Sequence, residues 1–224
     1  GNVVDPESYF ATHGADALRL YILFMAPPSD GVEWNDGGIE GTKRFLNKLW
    51  DNFEKLSLLE ITNQSEVDSE IIRKINQSIY SITKHLDKFE FNTAVSDLMK
   101  INIELTNYLG SATTITQETK DYITFNICSL LYPFAPHISS EIYDLQTNQN
   151  IAEFKWPEFD QANLTNPTYE LVVQINGKKR HTKIINTGTT QEEAEKICES
   201  EFQIEKKDYK KIIFVEDKII NFIG

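Results

Sequence analysis

The apolar residues Ile71, Ile72, Ile75, Ile79, Ile82, Leu86 and Phe89 recur every three or four positions. A strand would set alternate residues on one face, so this period specifies a long amphipathic helix. After a break near Phe91-Asn92 the pattern resumes at Val95, Leu98, Asn102, Leu105 and Leu109, and it stops at Gly110. A further helix is expected over about 117–131, with Ile123, Ile127, Leu130 and Leu131 inward. Pro133 and Pro136 punctuate "LLYPFAPHISSEIYDL", which reads as a helix end, a sharp turn and a new helix. Helices of this length, joined by polar connectors such as "ITNQSEVDS", predict an antiparallel bundle.

The same rules apply upstream. Asp5 caps and Pro6 opens a short helix that ends at Gly14. "ADALRLYILFMA" is apolar almost all round and is expected to be buried, and Pro27-Pro28 ends it. "SDGVEWNDGG" reads as a loop. "IEGTKRFLNKLWDNFEKLSLL" then returns to helical spacing, with Phe45, Leu46, Leu49, Trp50, Phe53 and Leu56 on one face. An apolar content of 40% supplies enough material for packed cores.

Near residue 165 the period changes. Residues 146–168 lack periodicity and read as an ordered connector. Strands are expected at 169–175 and 181–186, around an Asn176-Gly177 hairpin turn. A helix at 190–201 opens behind Thr189 or Thr190, and "KIIFVEDKIINFIG" forms two strands around Glu216-Asp217. The fold class is therefore mainly α: an antiparallel helical bundle followed by a small β-β-α-β-β unit.

Charge is distributed unevenly. The formal net charge is -12, which opposes indiscriminate binding to polyanions. Residues 112–167 hold seven acids against Lys120 and Lys155. Two clusters of cations stand out against this. Lys43, Arg44 and Lys48 lie on one predicted helix, where Arg44 and Lys48 are one turn apart and can meet successive phosphates. The bland reading is a solvated face paired with Glu40 or Asp51. Lys178, Lys179, Arg180, His181 and Lys183 follow the hairpin turn. Strict alternation would put Lys179, His181 and Lys183 on one side and Lys178 and Arg180 on the other. Such a ribbon can bind an RNA backbone; the bland reading is a lysine-protected sheet edge.

Other chemistries find no support in the pattern. Cys128 and Cys198 are isolated, with no CxxC and no cluster at metal spacing, which suits a reduced, cytoplasmic, metal-free protein. His13 and His137 have no neighbouring nucleophile or acid that would complete a catalytic set. "DGGIEG" does not follow a strand and lacks the phosphate-loop patterns. The apolar run "LYILFMA" is too short to span a bilayer. The opening "GNVVDPESYF" has no initiator Met and reads as the interior of a longer protein.

"GNVVDPESYFATHGADALRLYILF" resembles the segment after the KMSKS loop in class I aminoacyl-tRNA synthetases of the Leu/Ile/Val/Met group. Glu33-Trp34, Gly38, Gly41, Arg44-Phe45-Leu46 and Trp50 narrow the resemblance to the leucyl-tRNA synthetase family. "LLYPFAPHISSEIY", "WPEFD" and "VVQINGKKR" follow in the order of that family's later landmarks. His13 departs from a usual Tyr, and His181 stands where a small residue is common. The weakest stretch of the resemblance is 57–130.

The resemblance implies that 1–37 ends a catalytic domain and stem-contact region. Residues 38–165 would form a helical anticodon-binding-type domain with its connector, and 166–224 a small tRNA-binding domain. The partner implied is tRNA(Leu), bound by Lys43, Arg44, Lys48, Lys178, Lys179, Arg180, His181 and Lys183, with no membrane and a monomeric state. Catalytic and editing domains, with ATP and Mg, would lie upstream of Gly1, so this fragment has no catalytic residue, metal or cofactor of its own and is expected to be inactive. The alternatives are a helical protein-interaction module without RNA binding, or the equivalent part of valyl-tRNA synthetase.

Overall fold

The computed structural model describes residues 4–63, 68–164 and 168–224. Residues 1–3 of the opening motif, 64–67 of the polar connector and 165–167 lie outside the described residues. The chain divides into two compact units, 1–164 and 165–224.

The first unit contains α1 (Glu7–His13), α2 (Ala15–Met25), α3 (Asp36–Leu58), β1 (Glu60–Thr62), α4 (Asp68–Asp87), α5 (Phe91–Ser111), β2 (Thr114–Thr116), α6 (Gln117–Leu131) and α7 (Pro136–Thr147). Ile71, Ile75, Ile79 and Ile82 of α4 are all buried, in packing against α5 and α6. The stripe is therefore a bundle core, as its period demands. Phe89 leaves it. Its φ of 58° places it in the turn that ends α4, and 66% of it is exposed. Asn102, within the apolar stripe of α5, is buried because its side-chain oxygen accepts a 2.7 Å hydrogen bond from Asn52.

Three further features depart from the sequence reading. Asp36-Gly37-Gly38 is the first turn of α3 rather than a loop, and the Asn35 side chain caps it by accepting from the Gly37 N–H at 2.8 Å. A Cβ at Gly38 would stand 2.2 Å from a Tyr21 ring carbon, so glycine there permits close approach of α2 and α3. The polar connector contains β1, which pairs in parallel with β2 in the register Ile61↔Ile115. Strands of three residues are too short to show a period. Finally, α2 is buried along one side only. Ala17, Leu18, Leu20 and Tyr21 are inside, whereas Ile22 is 55% exposed.

The sequence blocks "GADALR" and "LYPFAPH" are explained by one junction. Asp16 of α2, itself buried, accepts from the Ile138 N–H at 2.7 Å and from the His137 ring at 2.8 Å. Arg19 donates to the Pro133 carbonyl at 3.0 Å and to that of Phe134 at 3.3 Å. A carboxylate thus satisfies the start of α7 while a guanidinium satisfies carbonyls beyond the end of α6. The connector after α7 is ordered: Trp156 donates to Thr83, and Asn76 exchanges two hydrogen bonds with the Asp160 backbone.

The second unit contains β3 (Thr168–Ile175), β4 (Lys178–Asn186), α8 (Gln191–Phe202), β5 (Lys211–Val215) and β6 (Ile219–Ile223). The strand order is β4-β3-β6-β5, with β3 and β6 parallel at the centre. Asn176 and Gly177, both at positive φ, make the tight turn. Leu171, Val173, Ile185, Ile220 and Phe222 form the core with Ala194 and Cys198 of α8. Thr190 and Glu193 close a reciprocal capping box at the start of that helix. β4 begins at Lys178, three residues earlier than its hydrophobicity indicated, so the cations lie within the ladder.

Candidate nucleic-acid interface

On α3 the three cations have different surroundings. Lys43 is half-buried, and its ammonium donates to the Thr12 carbonyl at 2.8 Å. That carbonyl belongs to the last turn of α1, where a cation is favoured by the helix dipole. Lys43 therefore ties α1 to α3. Beside it His13 meets Glu40 at 2.8 Å, and this hydrogen bond holds the Glu40 carboxyl below its usual range. Arg44 is exposed and Lys48 half-buried, and neither makes a hydrogen bond or ion pair among the described residues. Among the described residues Asp51 makes no ion pair with either, and Glu40, whose carboxyl feels the Arg44 charge, is hydrogen-bonded to His13 instead. Two cations one helical turn apart thus remain available to an external anion.

The hairpin cations are sorted by a β-bulge. Val173 pairs with His181, but the preceding step pairs Gln174 with Lys179, which leaves Arg180 as the extra residue. The bulge reverses the alternation on its turn side. His181 and Lys183 project toward α8: the His181 ring stacks on Phe202 with centroids 4.4 Å apart, and Lys183 pairs with Glu201. Lys179 projects to the opposite face, 3.9 Å from Glu170. Strict alternation, which would group Lys179 with His181 and Lys183, is therefore corrected: the inserted Arg180 shifts the parity. Lys178 and Arg180 are exposed and unpaired among the described residues. The structure thus keeps Lys178, Lys179 and Arg180 near the hairpin tip and engages the other two within the unit.

Lys211 at the start of β5 is a cation that the pattern did not single out. Ile212 and Phe214 alternate with Ile213 and Val215, so both parities of β5 are apolar. Sequence alone offers no signal for which side α8 covers.

Among the described residues no catalytic constellation accompanies these cations. His137 is held by Asp16, and His13 by Glu40 and Thr12. Both cysteines are free and buried. Burial raises the Cys128 thiol far above its ordinary value and pushes Cys198 up to about 11. Among the described residues no group of three or more His, Cys, Asp or Glu side chains is placed to hold a metal. Among them, too, no helix is long and apolar enough to cross a membrane.

The family described as "Anticodon-binding domain of tRNA ligase" matches residues 68–197. Across its whole length the chain is 36% identical to a leucine–tRNA ligase of Thermosipho melanesiensis, of which it covers 29%. The chain thus spans about three tenths of the length of such relatives. A crystal structure of the Agrobacterium radiobacter K84 LeuRS–tRNA–LeuAMS ternary complex superimposes with a TM-score of 0.76 at 28% identity, covering 100% of this chain and 30% of that one. An apo methionyl-tRNA synthetase of Mycobacterium tuberculosis shares the fold at a TM-score of 0.50 and 14% identity, over 70% of this chain and 38% of that one.

Proposed function

The chain belongs to the family of tRNA-ligase anticodon-binding domains, and on that premise we propose that it is the tRNA-binding C-terminal portion of a leucine–tRNA ligase. Residues 1–37 serve as the end of the catalytic domain and stem-contact region, 38–165 as the helical domain, and 166–224 as the small C-terminal domain. The partner is tRNA(Leu), and the setting is cytoplasmic. Leucine activation with ATP and Mg belongs to the part of the ligase upstream of Gly1. The residues of this chain supply neither a phosphate-cradling loop nor a metal donor set among the described residues, so no chemical step is assigned to them.

The observation that carries the reading is the pair of free cation groups. Arg44 with Lys48 on α3, and Lys178 with Arg180 at the hairpin tip, are unpaired in a chain of formal charge -12. Confined cations let an acidic protein hold one RNA while its bulk repels others. Lys43, His181 and Lys183 act by holding these elements in place, and Lys179 contributes from the open side of the hairpin.

Binding of a tRNA(Leu) transcript, followed by filter retention at low and moderate salt, tests this. Retention that falls steeply with salt, and that weakens on the double reversal Lys179→Glu/Arg180→Glu, is expected. Absence of retention at low salt would leave a protein-interaction module as the better account.

A further inference from the structure

The dipeptide Asn176-Gly177 occurs once in the chain. Gly177 has no Cβ, so no side chain shields its amide nitrogen from the Asn176 carboxamide carbon. Both residues are exposed, and water reaches them freely. The fold nevertheless holds both groups. Parallel pairing sets Gln174 beside Asn221 and Ile175 beside Phe222, which carries the end of β6 past the hairpin turn. There the Asn176 N–H donates to the Phe222 carbonyl at 2.8 Å. The Gly177 N–H donates to Asn221 Oδ1 at 3.1 Å, and the Gly224 N–H donates to Asn176 Oδ1 at 3.0 Å.

We propose that Asn176 is a site of spontaneous covalent modification, its carboxamide converted to a carboxylate by the Gly177 amide and water, and that β6 restrains this conversion. In the first step the Gly177 nitrogen bonds to Asn176 Cγ and the Cγ–Nδ2 bond breaks. The Gly177 amide proton leaves with the carboxamide nitrogen as ammonia, and a five-membered imide remains. Water then opens the imide. Opening at Cγ leaves an ordinary aspartate at position 176; opening at the main-chain carbonyl leaves an isoaspartyl link. Asn221 opposes the first step, because a carboxamide oxygen is too weak a base to take the Gly177 proton and so keeps it in place. Gly224 opposes it by tying the Asn176 carboxamide to the end of β6, away from the attacking nitrogen. Either product sets a carboxylate beside the exposed Lys178 and Arg180. The isoaspartyl link also adds a backbone atom to a two-residue turn, whose length fixes the hairpin register.

Peptide mass mapping of the 224-residue chain, incubated at mildly alkaline pH, follows the replacement of amide by acid at position 176, and isoaspartyl methyltransferase labelling measures the isomer. Conversion should be slow in the folded chain and fast in urea. Asn221→Ala and deletion of Gly224 each remove one restraint, and each should accelerate conversion roughly two- to tenfold, the factor that one net hydrogen bond represents. Amide exchange across β3 and β6 checks that the strands stay paired; the Gly224 deletion leaves every residue of β6 in place and decides the matter if Asn221→Ala loosens the sheet. A folded wild type that converts as fast as the chain in urea would overturn the inference. So would paired variants that convert no faster than wild type, or a chain that does not convert in urea. Asn176→Asp carries the charge of the product, and on the reading that the chain binds tRNA it should lower retention of tRNA(Leu) at low salt. Equal retention would overturn the effect on the cations, whereas absence of wild-type retention refutes the tRNA reading and leaves the mass measurement to decide the modification.

Discussion

Glycines 38 and 41 of α3 should respond oppositely to the same substitution. Alanine is favoured over glycine in a helix interior by about 0.8–1.0 kcal/mol. At Gly41 the added Cβ meets no heavy atom within 4 Å, so Gly41→Ala should stabilise by about that amount. At Gly38 the Cβ would stand 2.2 Å from Cε2 and 2.6 Å from Cζ and the hydroxyl of Tyr21. That ring is 6% exposed, and its hydroxyl donates to the Asn35 carbonyl at 2.6 Å. Relief needs displacement of a buried ring or of α2. Overpacking of this kind costs about 1–3 kcal/mol, and loss of the Tyr21 hydrogen bond adds about 1 kcal/mol. The propensity gain offsets only part of this, leaving Gly38→Ala destabilising by roughly 1–3 kcal/mol. The two variants should thus differ by about 2–4 kcal/mol. Urea unfolding followed by tryptophan fluorescence isolates the effect, because Trp34, Trp50 and Trp156 all lie in the unit 1–164. A Gly38→Ala midpoint that rises alongside that of Gly41→Ala would refute the argument, since it would mean that Tyr21 does not need the space.

Asp16→Ala leaves the part-buried Ile138 N–H at the start of α7 without its acceptor, and should cost the first unit about 0.5–2 kcal/mol in the same assay; a change below the measurement error would show that water replaces the carboxylate. Glu193 is held below the ordinary glutamate range by hydrogen bonds from the Thr190 backbone and hydroxyl. A depressed carboxyl stabilises the fold above its unfolded value, and that contribution is lost as pH falls through the folded value. The Thr190 and Glu193 amide resonances should therefore report fraying of α8 only below the ordinary glutamate range, and Glu193→Gln should abolish that transition. Glu40, depressed by His13, carries the same sign at the start of α3. Cys198, with its thiol pushed up to about 11, and the more deeply buried Cys128 should resist Ellman's reagent at pH 8 in the native state and react on unfolding; prompt reaction of Cys198 would contradict its packing under the sheet.

The residues that cap and punctuate were legible because their effects are local. Thr190 opens α8, Asn176-Gly177 turns the hairpin, and Pro136 starts α7 where the pattern indicated. The aliphatic stripe of α4 was equally clear, since a period of three to four residues over five turns fits no other element. The first turn of α3 reads as a loop because glycines signal loops locally, and the Tyr21 ring explains the helical place of Gly38 alone. β1 and β2 escaped notice because strands of three residues depend on a partner 54 positions away, as in Ile61↔Ile115.

What the amino-acid order determined unaided is the alternation of helix and strand and the two cation clusters on α3 and the hairpin. These follow from side-chain spacing and turn chemistry, which act over a few residues. Only the tertiary structure decided which cations remain free. Lys43 found a carbonyl on α1, Lys183 and His181 found α8, and a single inserted residue, Arg180, turned Lys179 the other way. A period of two has no memory of which face will be covered, so the side to which α8 crosses sets the role of every charge on β4.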